Sequence, residues 1–188
     1  MGRWEPDAQG RLAQAAMELF SERGYEQTTV ADIATRAGLT ERTFFRHFGD
    51  KREVLFPVGT WFRDLFVDAV AGAPAEATPL AAVTLGIEAA AAALERDAGR
   101  ERAVTRQRII LANPELRERE LSKMADIAAA IATAQRGRGV DEPAASLTAE
   151  IGVAAFRVAF ERWVANGERR GLGELIDDSL AGIGAAVA

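Results

Sequence analysis

The sequence predicts an all-α protein of about nine helices, in which an N-terminal three-helix helix-turn-helix domain precedes a C-terminal helical bundle. Alanine, leucine and arginine, which favour helices, are abundant along the 188 residues. Valine, isoleucine, threonine and tyrosine do not cluster in the alternating runs typical of strands. Hydrophobic residues make up 48% of the chain, which is enough to bury a core.

The helix-turn-helix is predicted by its caps and its turn. The first helix, Asp7–Arg23, carries its apolar residues on one stripe. Thr29 suits the N-cap of a second helix, with Asp32 in the capping-box position. Gly38 breaks that helix, and Thr40 can cap a third. Two short helices joined by a glycine-containing turn of three or four residues are typical of this motif.

Six further helices are expected after the motif. Their predicted ranges are 50–72, 80–97, 101–112, 116–136, 144–166 and 172–187. The first of them opens at Asp50 and contains Pro57, which bends a helix unless it lies in the first turn. We place the domain boundary after residue 52, so that residues 1–52 form the helix-turn-helix domain and residues 53–188 the bundle.

The charge is unevenly distributed. The chain has a net charge of −5. The segment 36–52 nevertheless carries five cationic residues against Glu41 and Asp50, and the cations are Arg36, Arg42, Arg46, Lys51 and Arg52. One short basic segment therefore lies on an acidic body, which favours contact with a polyanion at that segment alone.

The third helix has two faces of different chemistry. Phe44 and Phe48 are four residues apart, so they share a face that can anchor the helix to the core. The opposite face carries Arg42, Thr43 and Arg46. An arginine recognises guanine by two hydrogen bonds in the major groove, and a threonine methyl group can contact a thymine methyl group.

Neighbouring residues are placed to contact phosphates, which fix the register of a protein on DNA. The helix N-termini at Thr29 and Lys51 add partial positive charge. The predicted DNA-binding residues are Thr29, Thr40, Arg42, Thr43, Phe45, Arg46, His47 and Lys51. Taken alone, a basic segment is usually a solvated face, and a lone histidine is usually structural; their position on a capped helix-turn-helix favours DNA contact.

The last two predicted helices are rich in small and apolar residues. Small residues let helix backbones approach closely, and two copies of such a pair form a four-helix seam between subunits. We therefore expect a homodimer that presents two recognition helices to a palindrome. The alternative is that these residues pack only within one chain.

A ligand cavity is expected within the bundle, between bulky apolar residues set amid alanine. The predicted ligand-binding residues are Trp61, Phe62, Phe66, Leu85, Ile110, Met124, Ile127, Phe156, Phe160 and Trp163. Individually, each aromatic residue is more readily explained as core than as part of a pocket. Their apolar character indicates a small hydrophobic effector.

The segment Leu12 to Leu55, which contains "AAMELFSERGYEQTTVADIATRAGLTERTFFRHFGDKREVL", resembles the DNA-binding domain of TetR-family transcriptional regulators. The family usually has tyrosine where this chain has Phe45, so a phenolic contact to phosphate is missing here. The segments "RQRIILANPELRERELSKMADI" and "AAFRVAFERWVANG" are similar to regulators of the mycofactocin type. The resemblance implies a dimeric repressor that a ligand releases from its operator, and the second likeness implies acyl-CoA or a similar lipid-like effector.

Other classes of function are less well supported. The chain has no cysteine and one histidine, and it shows no glycine-rich phosphate loop and no metal-ligand cluster. We therefore expect no enzyme, no cofactor and no metal. The N-terminus lacks an apolar signal core, and no apolar run has membrane-spanning length, so we expect a cytoplasmic protein without a membrane partner. A helical adaptor or ligand-binding protein without DNA activity is the remaining alternative.

Overall fold

The structure is a computed structural model that describes residues 8–56 and 59–187. Within these ranges it contains nine α-helices and no strand, so the all-α prediction is confirmed. The helices are α1 Ala8–Arg23, α2 Val30–Arg36, α3 Glu41–His47, α4 Gly59–Ala71, α5 Pro79–Ala93, α6 Arg100–Ala112, α7 Pro114–Gly137, α8 Ala144–Trp163 and α9 Leu172–Val187. A π-helical turn, Leu94–Ala98, extends α5. None of these helices is long and apolar enough to cross a bilayer.

One predicted helix was wrong in its first part. The helix expected to start at Asp50 begins instead at Gly59, and Arg52–Leu55 form a single 3₁₀ turn. Phe56 ends that turn with a ψ of 42°, which is not helical. A residue that precedes proline avoids the α conformation, and this explains the interruption. Pro57 itself, for which a bend was predicted, lies outside the described residues.

The chain divides into two compact units. The first unit comprises residues 1–57 together with 105–120, and the second comprises residues 58–104 together with 121–188. The first unit therefore draws on a segment far along the chain. The domain boundary after residue 52 stays a prediction.

The first unit has a core of large side chains. Phe44 and Ile33 of the helix-turn-helix are fully buried, and so are Ile110 and Leu116 from the distant segment. All four belong to one hydrophobic cluster, which also contains Leu12, Leu19, Phe20, Phe48, Val54, Leu55 and Ile109. The end of α6 and the start of α7 are thus part of the core that supports α1, α2 and α3.

Two arginines of the distant segment hold the 3₁₀ turn. Arg106 donates through Nε to the carbonyl of Leu55 at 2.7 Å and through Nη1 to Glu120 at 2.9 Å. Arg119 donates to Glu53 at 2.7 Å. Burial lowers the pKa of Arg106 from its ordinary value, and the negative charge of Glu120 opposes that shift. The backbone that follows the helix-turn-helix is therefore fixed by charged hydrogen bonds.

The second unit is organised around α5, which packs against α4, α8 and α9. Glycines allow α4 and α8 to come close to α5. A Cβ atom added at Gly86 would lie 3.0 Å from the carbonyl oxygen of Phe66, and one added at Gly152 would lie 2.3 Å from Cγ1 of Val83. The core of this unit therefore depends on the absence of a side chain at two positions.

Candidate nucleic-acid interface and candidate ligand site

The turn between α2 and α3 is fixed by its backbone. Gly38 adopts a φ of +66°, which L side chains rarely adopt. The amide of Leu39 then donates to the carbonyl of Ala34 at 2.8 Å, which satisfies the end of α2. Arg11 of α1 donates to the carbonyl of Ala37 and so ties the turn to the first helix. The angle between the two short helices is thereby set by the sequence of the turn.

Both short helices are capped as predicted. Thr29 and Asp32 form a complete capping box, in which the Thr29 hydroxyl accepts from the Asp32 amide at 3.1 Å and donates to its carboxylate at 2.6 Å. These bonds from Thr29 lower the pKa of Asp32 below its ordinary value. The Thr40 hydroxyl accepts from the amide of Thr43 at 3.2 Å and lies 3.0 Å from the Thr43 hydroxyl. The caps define where each helix starts.

One face of α3 is buried, and the prediction for it is confirmed. Phe44 and Phe48 lie in the core of the first unit with ring centroids 5.3 Å apart. Leu39 packs against the same cluster, as do Val54 and Leu55. Because both aromatic rings point inward, the rotation of α3 about its axis is fixed.

The opposite face of α3 is open to solvent. Arg42 and Arg46 are exposed, and Phe45 between them is 55% exposed. Within the part of the chain that the structure describes, neither guanidinium makes a hydrogen bond or an ion pair. Two positive charges on one face are therefore available to an external partner. Thr43 is half-buried, and its hydroxyl already lies against Thr40.

The other arginines of the basic segment are neutralised by the chain itself. Arg36 binds Glu22 at 2.9 Å and Glu18 at 3.3 Å. Arg52 binds Asp50 at 2.6 Å. Five cations were counted in the sequence, but the structure separates these two from the exposed pair on α3.

Lys51 and His47 occupy more enclosed positions. The Lys51 ammonium donates to the carbonyl of Tyr25 at 2.8 Å and lies 4.0 Å from the centroid of its ring. Burial, followed by a hydrogen bond with Glu115, raises the pKa of Tyr25 above its ordinary value. His47 is half-buried, and its Nε2 atom has no hydrogen-bond partner. Lys51 thus stabilises the loop before α2 while keeping further N–H groups free to donate.

Half of the predicted ligand-binding residues form one aromatic cluster. Successive ring centroids lie 5.1 to 6.1 Å apart, and the rings are those of Phe62, Phe66, Phe156, Phe160 and Trp163. Met124 and Ile127 belong to the same hydrophobic core. The helices α4, α7 and α8 thus bring seven of the ten predicted residues together.

The structure does not bring the other three to this cluster. Trp61 and Leu85 are exposed. Ile110 is fully buried in the core of the first unit, whereas the aromatic cluster belongs to the second. Periodicity alone does not show which of two cores an apolar helix residue joins.

A cleft of about 460 Å³ lies between α4 and α7 in the second unit, and sequence reasoning missed it. Its lining is formed by Arg63, Asp64, Val67, Ala71, Ala130, Thr133, Ala134, Gly137 and Arg138. The signal in the sequence is the row of small residues at 130, 134 and 137 on one face of α7. Arg138 also donates to the carbonyls of Ala73 and Pro74, at 2.6 and 2.8 Å. The cleft is therefore a mainly apolar groove with charged residues in its lining.

Two family models match the chain. Residues 12–58 match the model described as bacterial regulatory proteins, tetR family, and residues 77–188 match the MftR C-terminal domain. The transcriptional regulator TcmR of Streptomyces glaucescens is 40% identical over 74 residues, which cover 39% of this chain and 33% of TcmR. The matching part spans a third or less of the length of the first curated relatives.

Solved structures share the fold over nearly the whole chain. A TetR-family transcriptional regulator from Mesorhizobium loti has a TM-score of 0.61 at 22% identity, covering 96% of both chains. FadR of Bacillus subtilis, solved in complex with stearoyl-CoA, has a TM-score of 0.60 at 21% identity, covering 92% of this chain and 95% of FadR. The first model covers all eight predicted DNA-binding residues, and the second covers more than half of the chain. The chain belongs to the TetR family of bacterial transcriptional regulators, and its C-terminal domain is of the MftR type.

Proposed function

We propose that this regulator binds a palindromic DNA operator as a homodimer, represses transcription there, and leaves the operator when a small hydrophobic effector binds. The observation that carries the proposal is the exposed face of α3. Arg42 and Arg46 are held outward by a buried face and a capped N-terminus, and neither has a partner among the described residues. On the second helix of a helix-turn-helix, two such cations are placed to contact base edges in the major groove.

The proposed contacts divide into two kinds. Arg42, Thr43 and Arg46 contact base edges, with the arginines donating to guanine. The phosphate contacts come from residues around that face, which are Thr40, His47 and Lys51. Thr29, whose hydroxyl and backbone protons are both donated to Asp32, acts instead by capping α2 and so placing its N-terminus. Phosphate contacts give affinity and register, whereas base contacts give sequence preference.

A homodimer is supported by an exposed apolar row on α8. Leu147 is 58% exposed, and Ala154 and Val158 are exposed on the same side of the helix at heptad-like spacing. On α9, nothing lies within 4 Å of a Cβ atom added at Gly182 or Gly184. A second copy of this pair of helices covers both surfaces in a four-helix seam.

Some of the small residues that suggested the seam have another role. Gly152 contacts Val83 of α5, and Ala155 and Ala159 are buried within the chain. They are explained by internal packing, which was the alternative reading of the sequence. The proposed seam therefore rests on the exposed residues of α8 and α9 alone.

The effector is proposed to be an acyl-CoA or a similar molecule with a long apolar part. FadR of Bacillus subtilis, which shares the fold, was solved with stearoyl-CoA. In this chain, the cleft between α4 and α7 supplies apolar surface in the second unit beside the aromatic cluster. The arginines in its lining are already engaged, Arg63 by Asp64 at 2.9 Å and Arg138 by the carbonyls of Ala73 and Pro74, so the proposal rests on the apolar part of the effector. An effector that prefers the geometry unable to bind DNA weakens DNA binding by the ratio of its affinities for the two states.

The DNA-binding proposal is tested by selecting the duplexes that the protein binds from a random pool. The selection is made at the salt concentration and pH of the cytoplasm, where we expect the protein to act. A palindrome should be enriched. Arg46→Ala should weaken binding to it by about 1 to 3 kcal/mol per half-site while leaving random duplexes little affected. Lys51→Ala should weaken all duplexes alike and reduce the salt dependence. Equal binding of wild type and Arg46→Ala to selected and random duplexes contradicts the base contact.

A helical adaptor without DNA activity is the second candidate, and the exposed row on α8 is the observation in its favour. The adaptor alternative predicts no salt-dependent affinity for DNA, whereas a regulator that contacts several phosphates loses affinity steeply as the salt concentration rises. Analytical ultracentrifugation separates the two: the regulator forms a dimer that also binds the selected duplex, and Leu147→Glu should dissociate that dimer. An adaptor binds no duplex at any salt concentration.

A further inference from the structure

We propose that Phe45 determines sequence specificity by contacting the 5-methyl group of a thymine in each half-site. This inference rests on the proposed DNA binding and adds the chemistry of one base. Phe45 is the most exposed aromatic side chain among the described residues, at 55%. It lies beside Arg42 and Arg46 on the exposed side of α3. In the sequence, Phe45 follows Arg42 by three residues and directly precedes Arg46.

The ring of Phe45 is held in place on one side and open on the other. Its centroid lies 5.5 Å from that of Phe44, and the two ring planes meet at 83°, an edge-to-face contact. Phe44 is fully buried in the core of the first unit. The exposed ring is thus supported by the core, and it can meet a partner without first losing much side-chain freedom.

The chemistry of the ring restricts what that partner is. Phenylalanine has no hydroxyl group, so it cannot donate a hydrogen bond to a phosphate or to a base edge. An apolar ring left in water gains free energy when it is covered by apolar surface. In the major groove, the apolar group that depends on sequence is the thymine methyl. Arg42 and Arg46 carry α3 to the groove, and the exposed ring beside them then meets a methyl group.

The test uses the palindrome most enriched from a random pool, with each thymine replaced in turn by uracil, which lacks only the methyl group. At one symmetric pair of positions, uracil should weaken wild-type binding by about three- to fivefold per half-site, the effect of leaving one methyl group unburied. Phe45→Ala should bind thymine and uracil duplexes equally at that pair. Phe45→Tyr, which keeps the ring, should still discriminate.

Arg46→Ala is the matched control, because it removes a neighbouring contact on the same face while leaving the ring. It should bind more weakly overall yet keep the same preference for thymine over uracil. Uracil tolerated at every position, or a preference that Phe45→Ala retains in full, overturns the inference while leaving the DNA-binding proposal intact. If no duplex is enriched at all, both proposals are overturned together.

Discussion

In the first unit, α1, α2 and α3 meet through large side chains, whereas in the second unit α4 and α8 approach α5 through glycines. Phe44 and Ile33 fill the space between the short helices of the first unit. Gly86 and Gly152 leave space for the helices of the second. The first unit fixes α3 by caps and a turn as well as by its core. The second fixes its helices mainly by close packing between them.

The difference teaches where each unit is vulnerable. The short helices of the first unit, seven residues each, are too short to be stable alone, so their position depends on a core that includes residues from α6 and α7. The longer helices of the second unit are stabilised by packing against α5, and that packing depends on shape at a few crossing points. Substitutions that separate these two dependences test the contrast.

The largest effect is expected for Ile110→Ala. Ile110 lies on α6 but is fully buried in the core of the first unit, so its truncation should lower the free energy of unfolding by about 2 to 5 kcal/mol. Hydrogen exchange should show the loss of protection in α1, α2 and α3. Leu111→Ala is the control: this neighbour is 61% exposed, and its truncation should change stability by less than about 0.5 kcal/mol.

The helices that lose hydrogen-exchange protection in Ile110→Ala show which core contains residues 105–120. If Ile110→Ala loosens α5 and α8 while α1 to α3 stay protected, residues 105–120 do not belong to the core of the first unit. A fragment that ends at residue 57 provides a second measurement. It lacks Ile109, Ile110 and Leu116, so it should not reach the thermal stability of α1 to α3 in the full chain.

A smaller effect is expected for Gly152→Ala in the second unit. The added Cβ atom would lie 2.3 Å from Cγ1 of Val83 and 3.1 Å from Cδ1 of Ile87, both fully buried. The overpacking should cost about 2 kcal/mol, measured by urea unfolding. Gly173→Ala in α9, where nothing lies within 4 Å of the new atom, should instead stabilise the helix by up to about 1 kcal/mol.

The double substitution Gly152→Ala with Val83→Ala checks the cause. If the clash with Val83 produces the loss, the two changes should be less costly together than the sum of their separate effects. Additive costs would show that Gly152 matters for another reason, such as the seam between subunits. The dimer dissociation constant, measured on the same variants, should be unchanged by Gly152→Ala.

Features that depend on neighbouring residues were predictable from the sequence, whereas features that depend on distant residues were not. Thr29, Asp32, Gly38 and Thr40 act on residues within four positions of themselves, so their roles were predictable and the structure has them as expected. The start of α4 was not predicted, because the cap formed by Asp50 is compatible with either an α-helix or a 3₁₀ turn. Phe56 and the proline after it decide between them.

Long-range partners were beyond the sequence for a physical reason. Ile110 has the same local pattern as residues of the aromatic cluster, and only the path of the chain places it in the other core. Likewise, Arg36 and Arg42 are both arginines of the basic segment, yet Glu22 lies within reach of the first and no carboxylate among the described residues pairs with the second. The charge available at a surface is the charge that remains after such pairs have formed.

The smallest effect on stability is expected for two threonine caps, one in each unit. Thr40 caps α3 and Thr78 caps α5, where its hydroxyl accepts from the amide of Ala81 at 3.3 Å. Replacing either by alanine should cost about 1 kcal/mol in urea unfolding. Only Thr40→Ala should also weaken binding to the selected duplex, because α3 carries Arg42 and Arg46 whereas α5 carries no proposed DNA contact.

Thr40→Asp separates the two roles proposed for Thr40. Aspartate caps a helix as well as threonine does, so the stability of this variant should stay close to that of the wild type. Its carboxylate would face the phosphates that the Thr40 hydroxyl is proposed to contact, so affinity for every duplex should fall. Thr40→Asn, an equally good cap without charge, should keep most of the affinity. Wild-type affinity in Thr40→Asp would show that Thr40 acts on DNA binding through the position of α3 alone.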